Sequence, residues 1–310
     1  MNSLKNGMSK ILLISICAAI FTTIFVSLGL IWFGLPLELA VILGCIASAT
    51  APAAILDVVL ESKDKSKFSN LLVSLVALDD AWALLLFGMG IALASSTIGH
   101  VSYTSSIIAA STNIGGAIIL GILIGFPAAY LTGRLKPGEP ILTEALGIVY
   151  ICGGIAIWLD VSFLITSIVM GAIVANFATH HDYPFHEIEN IEWPFMVIFF
   201  VLAGATLDLK MVVDIGLIGI VYIICRILGK IIGAKIGGQF SKADKKTKNW
   251  MGIAMLPQAG VAIGMALVAS SHFPEHRQLL LSLTISSTIF FEIIGPILTR
   301  LAMRQANSSF

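Results

Sequence analysis

Ala47-Ser48-Ala49-Thr50-Ala51-Pro52-Ala53-Ala54 lies in the middle of an otherwise unbroken apolar run, 37–60. Proline has no N–H to give to a helical ladder, and its ring collides with the turn before it. A helix through this run is therefore interrupted far from either end. The run is also long enough to cross a bilayer, for which roughly 20 apolar residues suffice. Backbone freed at that depth survives only where protein or a polar cavity surrounds it. A second run, 250–270, is interrupted in the same way at Pro257-Gln258-Ala259-Gly260. Each broken run is followed by one that opens Leu-Leu-x-Ser-Leu, at Leu71 and at Leu279.

The rest of the chain fits a membrane setting. Its 310 residues are 57% hydrophobic and 12% charged, with a mean hydropathy of +0.97. A soluble domain carries roughly 25% charged residues. Ten segments read as spans: 11–33, 37–60, 70–94, 105–131, 141–159, 161–178, 193–209, 212–237, 250–270 and 279–301. None alternates apolar and polar residues as a barrel strand would, so all ten are expected to be helices. The first is too long for a signal peptide and has no A-x-A cleavage site. The expectation is an all-α polytopic membrane protein, a single transmembrane domain over 1–310. A formal net charge of zero offers nothing to nucleic acid. The four cysteines, Cys17, Cys45, Cys152 and Cys225, sit in apolar runs and read as small buried hydrophobes.

Loop charges set the orientation. Alternation of ten spans puts thirteen of the 18 Lys and Arg on one side, at Lys5, Lys10, Lys63, Lys65, Lys67, Arg134, Lys136, Lys242, Lys245, Lys246, Lys248, Arg300 and Arg304. Lys210 and Arg277 fall on the other side. Both termini are therefore expected in the cytoplasm. The loop around His180, His181 and His186 has no Lys or Arg and reads as solvated rather than metal-binding. With this orientation the two broken runs and their neighbours form oppositely directed triplets. Paired interrupted helices in inverted halves point to the binding site of a secondary transporter.

Several charges lie where lipid opposes them. Leu78-Asp79-Asp80-Ala81 sits near the middle of 70–94, and each carboxylate costs about 2.5–3.5 kcal/mol at that depth. Neighbouring residues point about 100° apart, so the two acids need not share a role. Span 212–237 supplies the opposite sign at Arg226 and Lys230, stacked at i, i+4. Lys230 could pair with an acid or snorkel to the interface; Arg226 is deeper and is expected to need a carboxylate. Gly229 and Gly233 allow close approach of another helix. Glu292 is a further intramembrane acid, open to a structural or a functional reading. Glu144 and Asp57 read as interfacial.

These parts suggest a chemistry. Carbonyls freed at a helix break, with the Thr50 hydroxyl, are hard ligands suited to an alkali cation. A carboxylate beside them in a low dielectric is best kept neutralised, by a proton or by a cation. One excludes the other, and alternating exposure of such a site is antiport.

The chain resembles the membrane domain of the monovalent cation:proton antiporter family, the bacterial sodium/proton and Kef-type exchangers, over about Lys10 to Arg300. The resemblance rests on Ala49-Thr50-Ala51-Pro52-Ala53-Ala54, on Leu78-Asp79-Asp80, and on Phe199-Phe200-Val201-Leu202-Ala203-Gly204 within 195–209. Arg226 to Gly233, Leu256-Pro257-Gln258-Ala259-Gly260-Val261-Ala262 and Glu292 to Pro296 complete it. It implies an inverted-repeat fold in which two crossed discontinuous helices, broken at Ala51-Pro52 and at Pro257, Gln258 and Gly260, form a core domain moving against a dimerisation domain. It implies Asp80 as the essential ion- and proton-binding carboxylate, Thr50 at the crossing, and Asp79 paired with Lys230 or Arg226, Lys230 being favoured by its spacing to the next loop. Two acids with this lysine imply electrogenic exchange of Na⁺ or Li⁺, with K⁺ as an alternative, for H⁺. No catalytic residue, structural metal or cofactor is implied.

Members of the family begin with two or three further spans that build the dimer interface, so a homodimer is expected only where those spans are present. No regulatory nucleotide-binding domain is expected after Arg304. Alternative expectations are a Kef-type potassium-efflux or sodium-coupled carrier on the same scaffold, and a transport-inactive truncated subunit. An intramembrane aspartyl protease would need its acids on separate helices, one in a G-x-G-D setting, which this chain lacks.

Overall fold

The structure is a computed structural model that describes residues 2–64, 66–98, 103–132, 141–178 and 216–307, with isolated positions between 188 and 205. The described residues are helical and contain no strand. In chain order the helices are α1 (Asn2–Trp32), α2 (Leu37–Ala47), α3 (Pro52–Ser62), α4 (Lys67–Ile98), α5 (Tyr103–Thr132), α6 (Ile141–Trp158) and α7 (Phe163–Phe177). They continue with α8 (Gly216–Phe240), α9 (Lys245–Ala254), α10 (Gly260–His272) and α11 (Arg277–Asn307), a 3₁₀ turn at Pro274–His276 preceding the last.

Six of these stretches are long and apolar enough to cross a membrane: α1, α2 with α3 (Leu37–Ser62), α4, α5, α8 and α11 with its leading turn. The other segments of the ten-span expectation differ for local reasons. A 15-residue helix such as α7 spans about 22 Å, less than the roughly 30 Å hydrocarbon core. The run at 250–270 is divided, and its first half, α9, begins Lys245-Lys246-Thr247-Lys248. Most of 193–209, including Phe199, Phe200, Ala203 and Gly204 of the expected motif, lies outside the described residues, as do His100, His180, His181 and His186.

The chain divides into two compact units, 101–205 and the remainder. In the larger unit α1 ends at Gly34, whose φ of +90° lets Gly34 N–H reach Ile31 O and Leu35 N–H reach Leu30 O, closing the helix ahead of Pro36. α8 packs along α1 through Gly229, Gly233 and Gly237. A Cβ at these positions would lie 2.6 Å from Thr22 Cα, 2.5 Å from Cys17 O and 2.4 Å from Leu13 O. The stripe extends by one glycine the pair readable in sequence, and it brings the two backbones into contact. Around it Ile14, Ala18, Leu72, Val76, Met251, Met255 and Met303 form a buried core. Asp244 caps α9 by accepting from Thr247 N–H at 3.0 Å and Thr247 Oγ1 at 2.6 Å. Partial burial works against its charge, yet these bonds hold the carboxyl below its ordinary range.

In the smaller unit α5 lies against α7. Gly121 and Gly125 face Val169 and Ile173, and Asn113 bonds the α6–α7 turn through Asp160 O and Ser162 N.

Candidate functional site

Both breaks are present, and they touch. Between α2 and α3 the chain unwinds over Ser48 to Ala51, and Pro52 starts the next half-helix. Between α9 and α10 it unwinds over Met255 to Ala259, and Gly260 starts the next. Pro52 and Gly260, expected within the breaks, are thus the first residues of the helices that follow. A first-turn proline loses no ladder bond. Ala51 N–H donates to Pro257 O at 3.0 Å, which ties one break to the other.

Two cations on α8 bind this junction. Lys230 is fully buried and directs its ammonium at Ser48 O (2.6 Å), Thr50 Oγ1 (2.7 Å) and Asp79 Oδ2 (2.6 Å), which matches its three donors. That burial excludes the snorkelling alternative. Thr50 Oγ1 in turn lies 2.5 Å from Asp79 Oδ2 and donates to it. One turn away, Arg226 is also fully buried. Its Nε donates to Ala47 O (2.9 Å), its Nη1 to Leu256 O (2.7 Å) and its Nη2 to Ala49 O (2.9 Å) and Pro257 O (3.5 Å). The Phe291 ring lies 4.1 Å beneath the guanidinium. The expectation that Arg226 needs a carboxylate is therefore corrected. The unwound segments release carbonyls that absorb its donors, and it is Lys230 that contacts Asp79.

The two acids differ. Asp79 is fully buried on α4 with one oxygen committed to Lys230 and Thr50, while its Oδ1 has no hydrogen-bond partner. Asp80 faces the main-chain N–H of Thr50, and its own Oδ1 is buried without a partner. Two orphaned carboxylate oxygens thus lie beside an unwound backbone. Such atoms are costly in a protein interior, and a small hard cation or a proton would satisfy them. Gln258 donates weakly to Ile46 O and Tyr222 Oη, each at 3.4 Å, and its Oε1 is likewise orphaned. Glu292 is half-buried on α11, Glu144 partly buried in the first turn of α6, and Asp57 exposed on α3. No cluster of three or more His, Cys, Asp or Glu suited to a metal occurs among the described residues.

Sequence reasoning missed the carbonyls of Ala47, Ser48, Ala49 and Leu256, and also Tyr222 and Phe291. Tyr222 carried a signal: with Arg226 and Lys230 it makes an i, i+4, i+8 polar file on an apolar helix.

Sequence comparison gives the family to which this chain belongs. The family described as "Sodium/hydrogen exchanger, transmembrane" matches residues 1–304. The chain belongs to the sodium/hydrogen exchanger family. Among curated relatives, the ammonium/H⁺ antiporter subunit AmhT of Alkalihalophilus pseudofirmus is 20% identical over 282 residues, 89% of this chain and 71% of that protein. The Na⁺/H⁺ antiporter ApNhaP of Aphanothece halophytica is 25% identical over 280 residues, 86% of this chain. The chain spans only 53% of that relative's length. The solved sodium/proton antiporter MjNhaP1 of Methanocaldococcus jannaschii superposes with a TM-score of 0.72 over 99% of this chain and 80% of its own, at 17% identity. This exchanger-family chain thus shares that antiporter's fold and is a multi-pass membrane protein of a transporter family.

Proposed function

We propose that the chain exchanges a monovalent cation, Na⁺ or Li⁺ with K⁺ as the alternative, for protons, and that proton and cation compete for Asp80. The observation that carries this reading is the pair of unsatisfied oxygens, Asp79 Oδ1 and Asp80 Oδ1, at the junction of two unwound helices. Asp79 is the partner already spoken for by Lys230, which leaves Asp80 to change occupant. Thr50 stands between them, its hydroxyl on Asp79 and its N–H towards Asp80. A proton on Asp80 leaves the pocket without a free anion. Its loss creates a cation site whose remaining ligands are hard oxygens. In this proposal the two broken helices are the crossed pair of the antiporter fold, and a homodimer forms only where the family's further spans, which build the dimer interface, are present. The protein sits in the cytoplasmic membrane with both termini inside, in keeping with the loop-charge bias.

In proteoliposomes carrying a preset pH gradient, Na⁺, Li⁺ or K⁺ should collapse the gradient, and Asp80→Asn should abolish the effect. Undiminished exchange in that variant would remove Asp80 from the mechanism. A second reading, a potassium- or ammonium-carrying subunit of a larger exchanger, is favoured by the name of the AmhT relative. Collapse by K⁺ and NH₄⁺ but not by Na⁺ or Li⁺ would select it.

A further inference from the structure

α11 carries a polar file that the exchange site does not use. Thr284, Thr288 and Glu292 recur at every fourth position. Four residues advance about 40° around a helix, so the three make one slanting row with a rise of about 6 Å per step. Thr284 and Thr288 are fully buried, and the hydroxyl of each has no hydrogen-bond partner among the described residues. Glu292 is half-buried and has neither an ion pair nor a hydrogen bond among them. It stands at the border between the packed face of the helix and the exposed row Ile289, Ile293 and Ile297. In depth it is level with the breaks. Phe291, its neighbour, lies under Arg226, and Gly295, one turn on, abuts Pro257. The Glu292 side chain is turned about 100° from Phe291 and so is not part of the Arg226 cluster.

Packing does not account for this row. Valine would fill the same space at 284 and 288 without a buried hydroxyl, which is costly when left unbonded. A carboxylate at mid-membrane depth is costly as well. The same protein satisfies the buried Lys230 and Arg226 with short contacts. Two orphaned hydroxyls stand in file with a carboxylate that has no partner among the described residues, and the Thr288–Glu292 end of the row suits a hard monovalent cation, which takes neutral hydroxyl and anionic carboxylate oxygens together.

We infer that Thr288 and Glu292 form a second alkali-cation site, separate from Asp79 and Asp80. Glu292 is its anionic ligand and the Thr288 hydroxyl its neutral one; Thr284, about 12 Å along the axis from Glu292, continues the file beyond reach of the same ion. The assignment holds whether or not Asp80 is the exchanging group.

The test is the rate at which dicyclohexylcarbodiimide, a reagent for protonated carboxyls in apolar surroundings, modifies Glu292 in the full chain in liposomes, read by peptide mass spectrometry. Labelling should proceed in choline and slow several-fold in Na⁺ or K⁺, both in the wild type and in Asp80→Asn. Thr288→Val should keep the labelling yet require about tenfold more cation for the same protection. Equal rates in choline and alkali salts would overturn the assignment. So would protection that disappears in Asp80→Asn, because the cation would then be bound at the exchange site, and so would a Glu292 that never reacts. Loss of transport in Asp80→Asn is read separately, so the two proposals fail independently.

Discussion

Lys230 and Arg226 lie one turn apart on α8, equally buried, and hold the same junction by different means. Lys230 faces a titratable partner, Asp79, and the Thr50 hydroxyl. Arg226 gives its hydrogen bonds, among the described residues, to carbonyl oxygens on both breaks, and it lies over a phenyl ring. An ion pair can be loosened when its acid takes up a proton or a cation. A carbonyl clamp has no such lever. The difference divides the junction into an end built to change state and an end built to hold the crossing together. It also follows the chemistry of the two side chains: the guanidinium fork serves several fixed acceptors, whereas the ammonium is a compact charge on a flexible stem.

The largest expected effect is at the clamp. Arg226→Ala leaves carbonyls of both breaks unbonded and should cost about 3–5 kcal/mol, seen as a large fall in Tm in detergent. Arg226→Lys should recover little of it, since one ammonium cannot span Ala47, Ala49 and Leu256 together. Full rescue by lysine would break the distinction between the two ends.

Lys230→Ala should destabilise nearly as much by stranding the Asp79 charge, but here a second change should help. Asp79→Asn in the same chain should restore about 1.5–3 kcal/mol, measured as the coupling energy of a double-mutant cycle. The same cycle between Asp79 and Arg226 should give a much smaller coupling. Equal couplings would mean that both cations serve the acid.

Away from the junction, Gly233→Ala should cost about 1–3 kcal/mol, because the new methyl meets the Cys17 carbonyl of α1 and α8 must move off it. A change in Lys230 environment without loss of stability would show that α8 has slack the close packing denies. The smallest effect is at the α9 cap. Asp244→Ala should cost about 1 kcal/mol at neutral pH. The folded carboxyl sits below its ordinary range, so its contribution is present above the unfolded value of about 4 and fades as pH falls through the folded one. Wild type and variant should therefore converge in Tm in acid. A gap that persists there would assign the loss to something other than the charge.

What could be read in the sequence was what is written locally. Pro52 and Pro257 declare their breaks, and Asp79, Asp80, Arg226 and Lys230 stand out because lipid makes every mid-span charge expensive. The Gly229–Gly233 spacing announced a close helix contact, though Gly237 passed unnoticed. What could not be read was convergence. That carbonyls of residues 47, 49, 256 and 257 meet at one guanidinium depends on two segments some two hundred residues apart, and backbone acceptors leave no trace in residue type. The same blindness assigned Arg226 a carboxylate it does not contact. Span lengths read differently: hydropathy sees 141–159 and 161–178 alike as apolar, while the helices that form there have 18 and 15 residues, the second short beside a bilayer.

The most direct measurement is proton release on cation binding. Purified protein in weakly buffered solution would receive Na⁺, Li⁺ or K⁺, with binding followed by calorimetry and acidity by a pH dye. Competition at Asp80 requires that each bound cation drive out protons, and that Asp80→Asn lose the release. Heat of binding in the wild type with no accompanying change in acidity would contradict it.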